Sequence, residues 1–353
     1  MKVLVVHPGA TWSTADVWRG ITDALQRANV EVVQYALDKR MAFSQQFLDA
    51  LWRKGKRAGS DLPRPTSGDV LYHAGIGVLE RALRHQVDWV LAITGQYLLP
   101  DTFQLMRRAG LRVAVVLTES PYDEQMESAI AKMATIAFTN ERSSVATFSA
   151  YCPTFYLPHS LDPARHRADI KDNVEVAAHD VVFVGTGFEE RLMLLEAIDW
   201  NGIDLGLYGT FDLWGSRNRM RKYVRGGVIH NALTGALYRK AKIGLNLHRT
   251  SVGYGRGVEH IQYAESMNPR CYELAAAGCF FISDERAEVK EIFGDLVPTF
   301  RAPDEAKEII RYYLAHEDER REIATRLPAC VADCTFDRRV ATMIEILEKH
   351  KGD

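Results

Sequence analysis

The chain has 353 residues, 47% of them apolar and 25% charged, with 44 Lys and Arg against 46 Asp and Glu. That is ordinary globular usage, so disorder, collagen and extended coiled coil are excluded as the main architecture, and the length suits two domains. The formal charge of -2 supplies no bulk field for nucleic acid or an anionic membrane, and no stretch approaches the roughly 20 apolar residues that span a bilayer.

Residues 3–7 are apolar, mostly β-branched, and stop at Pro8-Gly9. They read as a buried first strand and not as a signal peptide. Ser13 and Asp16 form a capping-box-like start to a helix with Val17, Ile21, Leu25 and Ala28 on one face. Residues 30–35 give a second strand, and a helix through Phe47, Leu48 and Leu51 follows. The basic, Pro- and Gly-containing stretch 53–65 reads as an exposed, mobile loop. A helix with Leu71, Ile76 and Leu79 leads to a strand at 89–93. Further helices lead to strands at 113–117 and 136–139. Continuous apolar strands alternating with helices imply a parallel sheet covered on both faces.

Residues 161–179 are polar and aperiodic, which marks a passage between domains. The alternation then restarts with strands at 181–184, 205–208, 243–247 and 279–283. Beyond Asp304 the pattern is helical, ending in a helix from Phe336 to His350. The expected fold class is α/β: two Rossmann-like, doubly wound domains facing a cleft, with a helical C-terminal tail. The expected division is 1–160, 161–335, and a terminal helix at 336–353 that packs back on the first domain. The five cysteines include no Cys-x-x-Cys pair and read as free thiols in a reducing, cytoplasmic setting, in a bacterium or a phage-infected host.

In such folds ligands meet the loops after the strands. Gly185-Thr186-Gly187 follows one strand, Tyr208-Gly209-Thr210 the next, and Asn246-Leu247-His248 another. Gly185 and Gly187 let backbone approach a ligand closely, and Asn246 and His248 alternate in phase. Polar residues also end the strands of the first half, at His7, Thr94-Gly95-Gln96-Tyr97, Thr118-Glu119 and Thr139-Asn140-Glu141. The densest stretch runs from Glu265 to Asp284. Asn268 suits a helix cap and Pro269 the first turn. Arg270 and Glu273 then share a face one turn apart, at a helix N-terminus suited to phosphate.

Glu265 and Glu273 are separated by seven residues, and Leu-Ala-Ala-Ala-Gly and an apolar strand follow. Beyond these come Glu288, Ile292-Phe293-Gly294, Tyr312-Tyr313, Arg320-Arg321 and Thr335-Phe336-x-x-Arg339. In this order the motifs resemble the C-terminal domain of CgeB-like GT-B glycosyltransferases, of spore-coat and phage-encoded type, with a Glu-x7-Glu-like donor site. The resemblance covers about 160 residues from Val181 onward; the first half resembles the family only in architecture.

The resemblance implies transfer of a sugar from a nucleotide-sugar donor, a UDP-sugar first, to an acceptor hydroxyl. Glu273 would hold the ribose, Arg270 the diphosphate with Arg191 and Lys242 as further cations, and Glu265 would lie near the reaction centre. Gly185, Gly187, Tyr208, Gly209, Asn246 and His248 would complete the donor site. Candidate general bases are Glu119, His7 and His159. Retaining and inverting courses both stay open. No Asp-x-Asp occurs in the chain, so no metal is expected to be required. The acceptor is a carbohydrate, a protein or a modified nucleobase. Arg217, Arg219, Arg221, Lys222 and Arg225, with Trp214 and Tyr223 nearby, offer DNA a basic patch. The alternative is a non-catalytic coat or binding protein that keeps the fold.

Overall fold

The computed structural model describes residues 1–9, 14–213, 215, 218–229 and 231–351. They form two compact units, Met1–Leu157 with Phe336–Asp353, and Pro158–Thr335. The first unit runs β1 (Lys2–His7), α1 (Ala15–Arg27), β2 (Glu31–Ala36), α2 (Leu37–Arg57), α3 (Ser67–His85), β3 (Trp89–Ile93), α4 (Pro100–Arg108), β4 (Val113–Leu117), α5 (Glu124–Ala131), β5 (Ile136–Thr139), α6 (Val145–Ser149) and β6 (Thr154–Tyr156). Among the described residues its sheet has six strands, ordered β2-β1-β3-β4-β5-β6, all parallel.

The second unit runs α7 (Pro163–His166), β7 (Val181–Val184), α8 (Glu189–Ala197), β8 (Leu205–Tyr208), β9 (Val224–Gly226), α9 (Asn231–Lys240), β10 (Ile243–Asn246), α10 (Pro269–Ala276), β11 (Phe281–Asp284), α11 (Ala287–Phe293), β12 (Thr299–Phe300), α12 (Pro303–Ala315) and α13 (Glu317–Cys330). Its six described strands are ordered β12-β11-β10-β7-β8-β9, again parallel. The final helix, α14 (Phe336–Lys349), returns to the first unit. There Val340, Met343 and Leu347 join the core formed by Val3, Val5, Trp89 and Leu91. Each sheet carries apolar clusters on both faces, as continuous apolar strands require.

Strand order reverses between β1 and β3 in the first unit and between β7 and β10 in the second. These reversals splay the loops at the strands' C-terminal ends and open a crevice for a ligand. Two local readings need correction. Residues 53–57 are not loop: α2 extends to Arg57, so Arg53, Lys54, Lys56 and Arg57 sit on its last turns. The strand expected at 279–283 begins at Phe281, because Gly278 ends α10 with φ +65° and Cys279 donates back to the Leu274 carbonyl. The cap at Ser13, and Trp214 and Arg217 of the basic stretch, lie outside the described residues.

Candidate functional site

In the second unit the loops after β7, β8 and β10 converge at the reversal of strand order. The Gly185 N–H donates to the Tyr208 carbonyl at 2.8 Å, and the Gly187 N–H to the Thr210 carbonyl at 2.7 Å. The β7 and β8 loops therefore run against each other, and glycine is what permits it. A Cβ on Gly209 would stand 2.0 Å from the Gly185 carbonyl oxygen, and one on Gly185 would stand 2.3 Å from Arg270 Nη2.

Arg270 occupies the space that Gly185 leaves. It sits in the first turn of α10, which Asn268 caps by accepting the Cys271 N–H at 3.2 Å, with Pro269 at the first position. Its Nε donates to the Val184 carbonyl at 2.5 Å and its Nη1 to the Leu247 carbonyl at 3.3 Å. Its guanidinium lies 4.8 Å from the Phe183 ring centroid. Asn246, fully buried, accepts from Arg270 Nη1 at 3.5 Å and donates to Ser283 Oγ at 2.9 Å. The arginine is thus fixed by the ends of two strands, β7 and β10, with α10's free N–H groups beside it.

One turn further along α10, the Glu273 carboxylate stands 3.9 Å from His166 Nε2. That nitrogen is buried and makes no hydrogen bond among the described residues. Tyr238 of α9 adjoins both Glu273 and Arg270. Burial, with the Glu273 charge adding to it, pushes its phenol well above the usual range, so it stays a neutral donor. His166 and Tyr238 were not foreseen. One lies in an aperiodic passage and the other on an apolar helix face, and neither position carries a sequence signal.

Arg191 is buried under the same loops. It donates to the Thr186 carbonyl at 3.0 Å and the His248 carbonyl at 3.4 Å, and packs on the Phe183 and Phe188 rings. His248 is held by Asp284: its backbone N–H meets both carboxylate oxygens, and Nδ1 lies 2.7 Å from Oδ1. Burial lowers the His248 pKa despite that carboxylate. Burial also pulls the Asp284 carboxyl upward, but its contacts with His248 prevail and hold it low. The Cys271 thiol, 3.9 Å from His248 Nε2, is raised well above its usual range by burial. The Asp284–His248–Cys271 row therefore does not carry an activated nucleophile. His159 is a neighbour of His248; burial, and then the His248 charge, lower its pKa to about 4.

Other expected residues are placed differently. The Tyr208 hydroxyl is engaged by His179 Nε2 at 2.9 Å, and His179 by Asp204 at 2.8 Å. Glu265 is half-buried in the coil before α10, its carbonyl accepting the Glu288 N–H at 3.2 Å. Lys242 precedes β10 at the opposite sheet edge, paired with Asp180 at 2.7 Å, so it is not a diphosphate ligand at the strand C-termini. Arg219, Arg221 and Lys222 are solvent-exposed on a short 3-10 turn, and Arg225 pairs with Asp204 at 3.3 Å.

In the first unit Glu119 lines a cavity of about 430 Å3 with Thr94, Gln96, Tyr97 and Asp123. Its backbone N–H donates to Glu127 Oε1 at 2.8 Å, and Ser120 donates its hydroxyl to Glu127 Oε2. Glu127 is 1% exposed; burial raises its pKa to about 7 against the pull of those two bonds. His7 lines a narrow adjoining cavity, stacked on Trp18 at 3.8 Å, and burial lowers its pKa.

Among the described residues no three His, Cys, Asp or Glu side chains gather as a metal-holding group, and no helix is long and apolar enough to cross a membrane.

Residues 191–345 match the model of a family described as glycosyl transferase-like. The chain is 23% identical over 270 residues to the spore protein CgeB of Bacillus subtilis (strain 168), covering 73% of this chain and 82% of that one. Among solved structures it is similar to a sucrose-phosphate synthase from Thermosynechococcus elongatus, with TM-score 0.67, 10% identity, and 99% and 98% of the two chains covered. It is also similar to HepE of Anabaena in complex with UDP-glucose, with TM-score 0.64, 13% identity, and 98% and 100% covered. Trehalose-6-phosphate synthase from E. coli, bound with UDP-2-fluoro glucose, gives a TM-score of 0.62 at 12% identity, with 99% of each chain covered.

Proposed function

We propose that this chain, a CgeB-like glycosyltransferase with the GT-B fold, takes a UDP-sugar on its second unit and transfers the sugar to a hydroxyl acceptor held by its first. The observation that carries the donor assignment is the Gly185–Gly209–Arg270 arrangement. Two glycine backbones and a guanidinium are brought to a capped helix N-terminus, with Glu273 one turn away. That is a seat for a diphosphate with a carboxylate placed to accept two vicinal ribose hydroxyls.

Arg270 and the α10 N-terminus stabilise the negative charge that develops on the departing diphosphate. Arg191 is spent on loop carbonyls, so its role is to position those loops. We assign no metal to the reaction, since the described carboxylates are not clustered to hold one and the cationic groups supply the charge. Turnover that persists in EDTA is the expected result; turnover only on adding Mg2+ or Mn2+ refutes it.

The first-unit cavity supports an acceptor without phosphate. Its described lining holds Glu119, Asp123, hydroxyls and an amide, and no Lys or Arg. As the new glycosidic bond forms and the sugar–phosphate bond breaks, Glu119 accepts the hydroxyl proton. His159 is the competing base on the second unit, neutral at physiological pH. Glu119→Gln abolishing transfer while His159→Gln spares it supports this reading; the reverse moves the base to His159. Inversion in the product NMR spectrum goes with Glu119 in a single displacement. Retention goes with the Glu265–Glu273 spacing and removes that role from Glu119.

The class is tested by a thermal-shift panel of nucleoside diphosphates and sugar nucleotides. UDP and UDP-sugars are expected to raise the melting point. Silence across the panel refutes the donor site.

A further inference from the structure

On the first unit, apart from the residues used above, α2 carries an apolar stripe that stays exposed among the described residues. On α2, Phe43, Phe47 and Leu51 are 49%, 40% and 51% exposed. They recur at i, i+4 and i+8, which places them on one side of the helix. Phe43 and Phe47 stack at 5.9 Å, and both stack on His73 of α3. His73 is itself anchored by Ser44 Oγ at 2.9 Å. The aromatics are therefore ordered at the surface. Large apolar side chains gathered in this way mark an interaction surface.

Charge surrounds the stripe. α2 holds six cations (Lys39, Arg40, Arg53, Lys54, Lys56 and Arg57) against two carboxylates, in a chain of net charge -2. One of those carboxylates, Asp49, is already paired with Arg64. On the helical wheel Lys54 falls between Phe43 and Phe47 and Arg40 between Phe47 and Leu51, and the Arg40 guanidinium lies 4.9 Å from the Phe43 ring centroid. Arg40 also lines a cavity of about 190 Å3 with Tyr35, Gly77, Glu80, Arg81 and Arg84. Its Nε is buried there without a hydrogen-bond partner among the described residues. A Cβ on Gly77 would reach Tyr35 Oη at 2.1 Å and Arg40 Nε at 3.2 Å, so glycine keeps this space open.

We infer that this face docks on an anionic phospholipid surface. Phe43, Phe47 and Leu51 enter the headgroup–acyl boundary, Arg40 and Lys54 on the same side of α2 meet the anionic lipids with Lys39 and Arg57 at the margin, and the arginine cavity takes a headgroup phosphate. Aromatic and aliphatic side chains flanked by Lys and Arg on one helix face are what such an interface recognises. The charge argues against the other occupants. A second copy would bring six cations against six, and duplex DNA presents no apolar surface to the phenylalanines.

The test uses the full chain in co-sedimentation with vesicles of phosphatidylcholine alone or mixed with phosphatidylglycerol. Binding is expected to be at least about tenfold stronger to the mixed vesicles and to weaken with added salt. Phe43→Ser with Phe47→Ser, and separately Arg40→Gln with Arg81→Gln, are expected to lose it while keeping the wild-type melting point and UDP affinity. No binding to mixed vesicles by folded protein overturns the inference. So does equal, salt-insensitive binding to both vesicles, or variants that bind as the wild type does. A dimer abolished by the phenylalanine pair, or duplex DNA binding without vesicle binding, gives the face to that occupant and overturns it too.

Discussion

Replacing Gly185 by alanine separates the two things Arg270 is asked to do. The new Cβ would lie 2.3 Å from Arg270 Nη2 and 3.2 Å from its Cζ. An ordinary carbon–nitrogen contact is about 3.5 Å, so the guanidinium must retreat by about 1.2 Å. The Arg270 bond to Leu247, at 3.3 Å, is already long and would be lost, and the one to Val184 would stretch. Hydrogen bonds from a charged group contribute about 1.5–3 kcal/mol each, and Arg270 is half-buried, so water recovers part of the loss. A net cost of about 2 kcal/mol lowers the melting point of a unit this size by about 4–8 °C. The donor loses more, because a displaced guanidinium no longer meets the diphosphate. One charge-assisted bond is worth about 10- to 150-fold in Kd. Calorimetric titration with UDP, beside a thermal melt monitored by circular dichroism, reads both. If the melt falls but UDP affinity stays within about twofold, Arg270 is a structural clamp and not a phosphate ligand. If neither changes, the packing argument at Gly185 is wrong.

Glu273→Gln keeps shape but weakens acceptance of the ribose hydroxyls. Donor KM should rise about tenfold or more with little change in kcat, and a fall in kcat alone would place Glu273 at the reacting bond instead. Glu127 keeps its proton in the native state up to about pH 7, whereas an unfolded glutamate loses it near 4.5. Its contribution, roughly 3 kcal/mol, is therefore present below pH 4.5 and lost as pH rises through 7. Melts across that range should show it in the wild type and not in Glu127→Gln; equal slopes refute it. Leu347→Ala, in the α14 core contact, should cost about 2–5 kcal/mol and lower the melting transition of the first unit alone. A fall in the second unit's transition instead would contradict the placement of α14.

The strands that carry the sheets were legible because they are buried on both faces. The runs at 89–93, 113–117, 136–139, 181–184 and 205–208 match their strands residue for residue. β6, β9 and β12 are edge strands of three, three and two residues, too short to show a pattern. At the site, Gly185, Gly209, Arg270 and Glu273 stood out because backbone approach and charge at a helix start demand particular residue types. His166, Tyr238 and Asp284 did not, since their roles come from what folding brings near them.

The α2 helix shows the deeper limit of reading periodicity. Leu37, Met41 and Leu48 turn inward while Phe43, Phe47 and Leu51 turn out, and both sets satisfy helical spacing. An apolar stripe in sequence says that some face avoids water; it does not say which neighbour removes it. Here one stripe is covered by α3 and β1, and the other is left to a partner. The basic run at 53–57 reads as loop in the sequence because charge alone carries no period. Placed on the last turns of α2, the run brings Lys54 one turn beyond Leu51 on the same side of the helix, which joins charge to the apolar stripe.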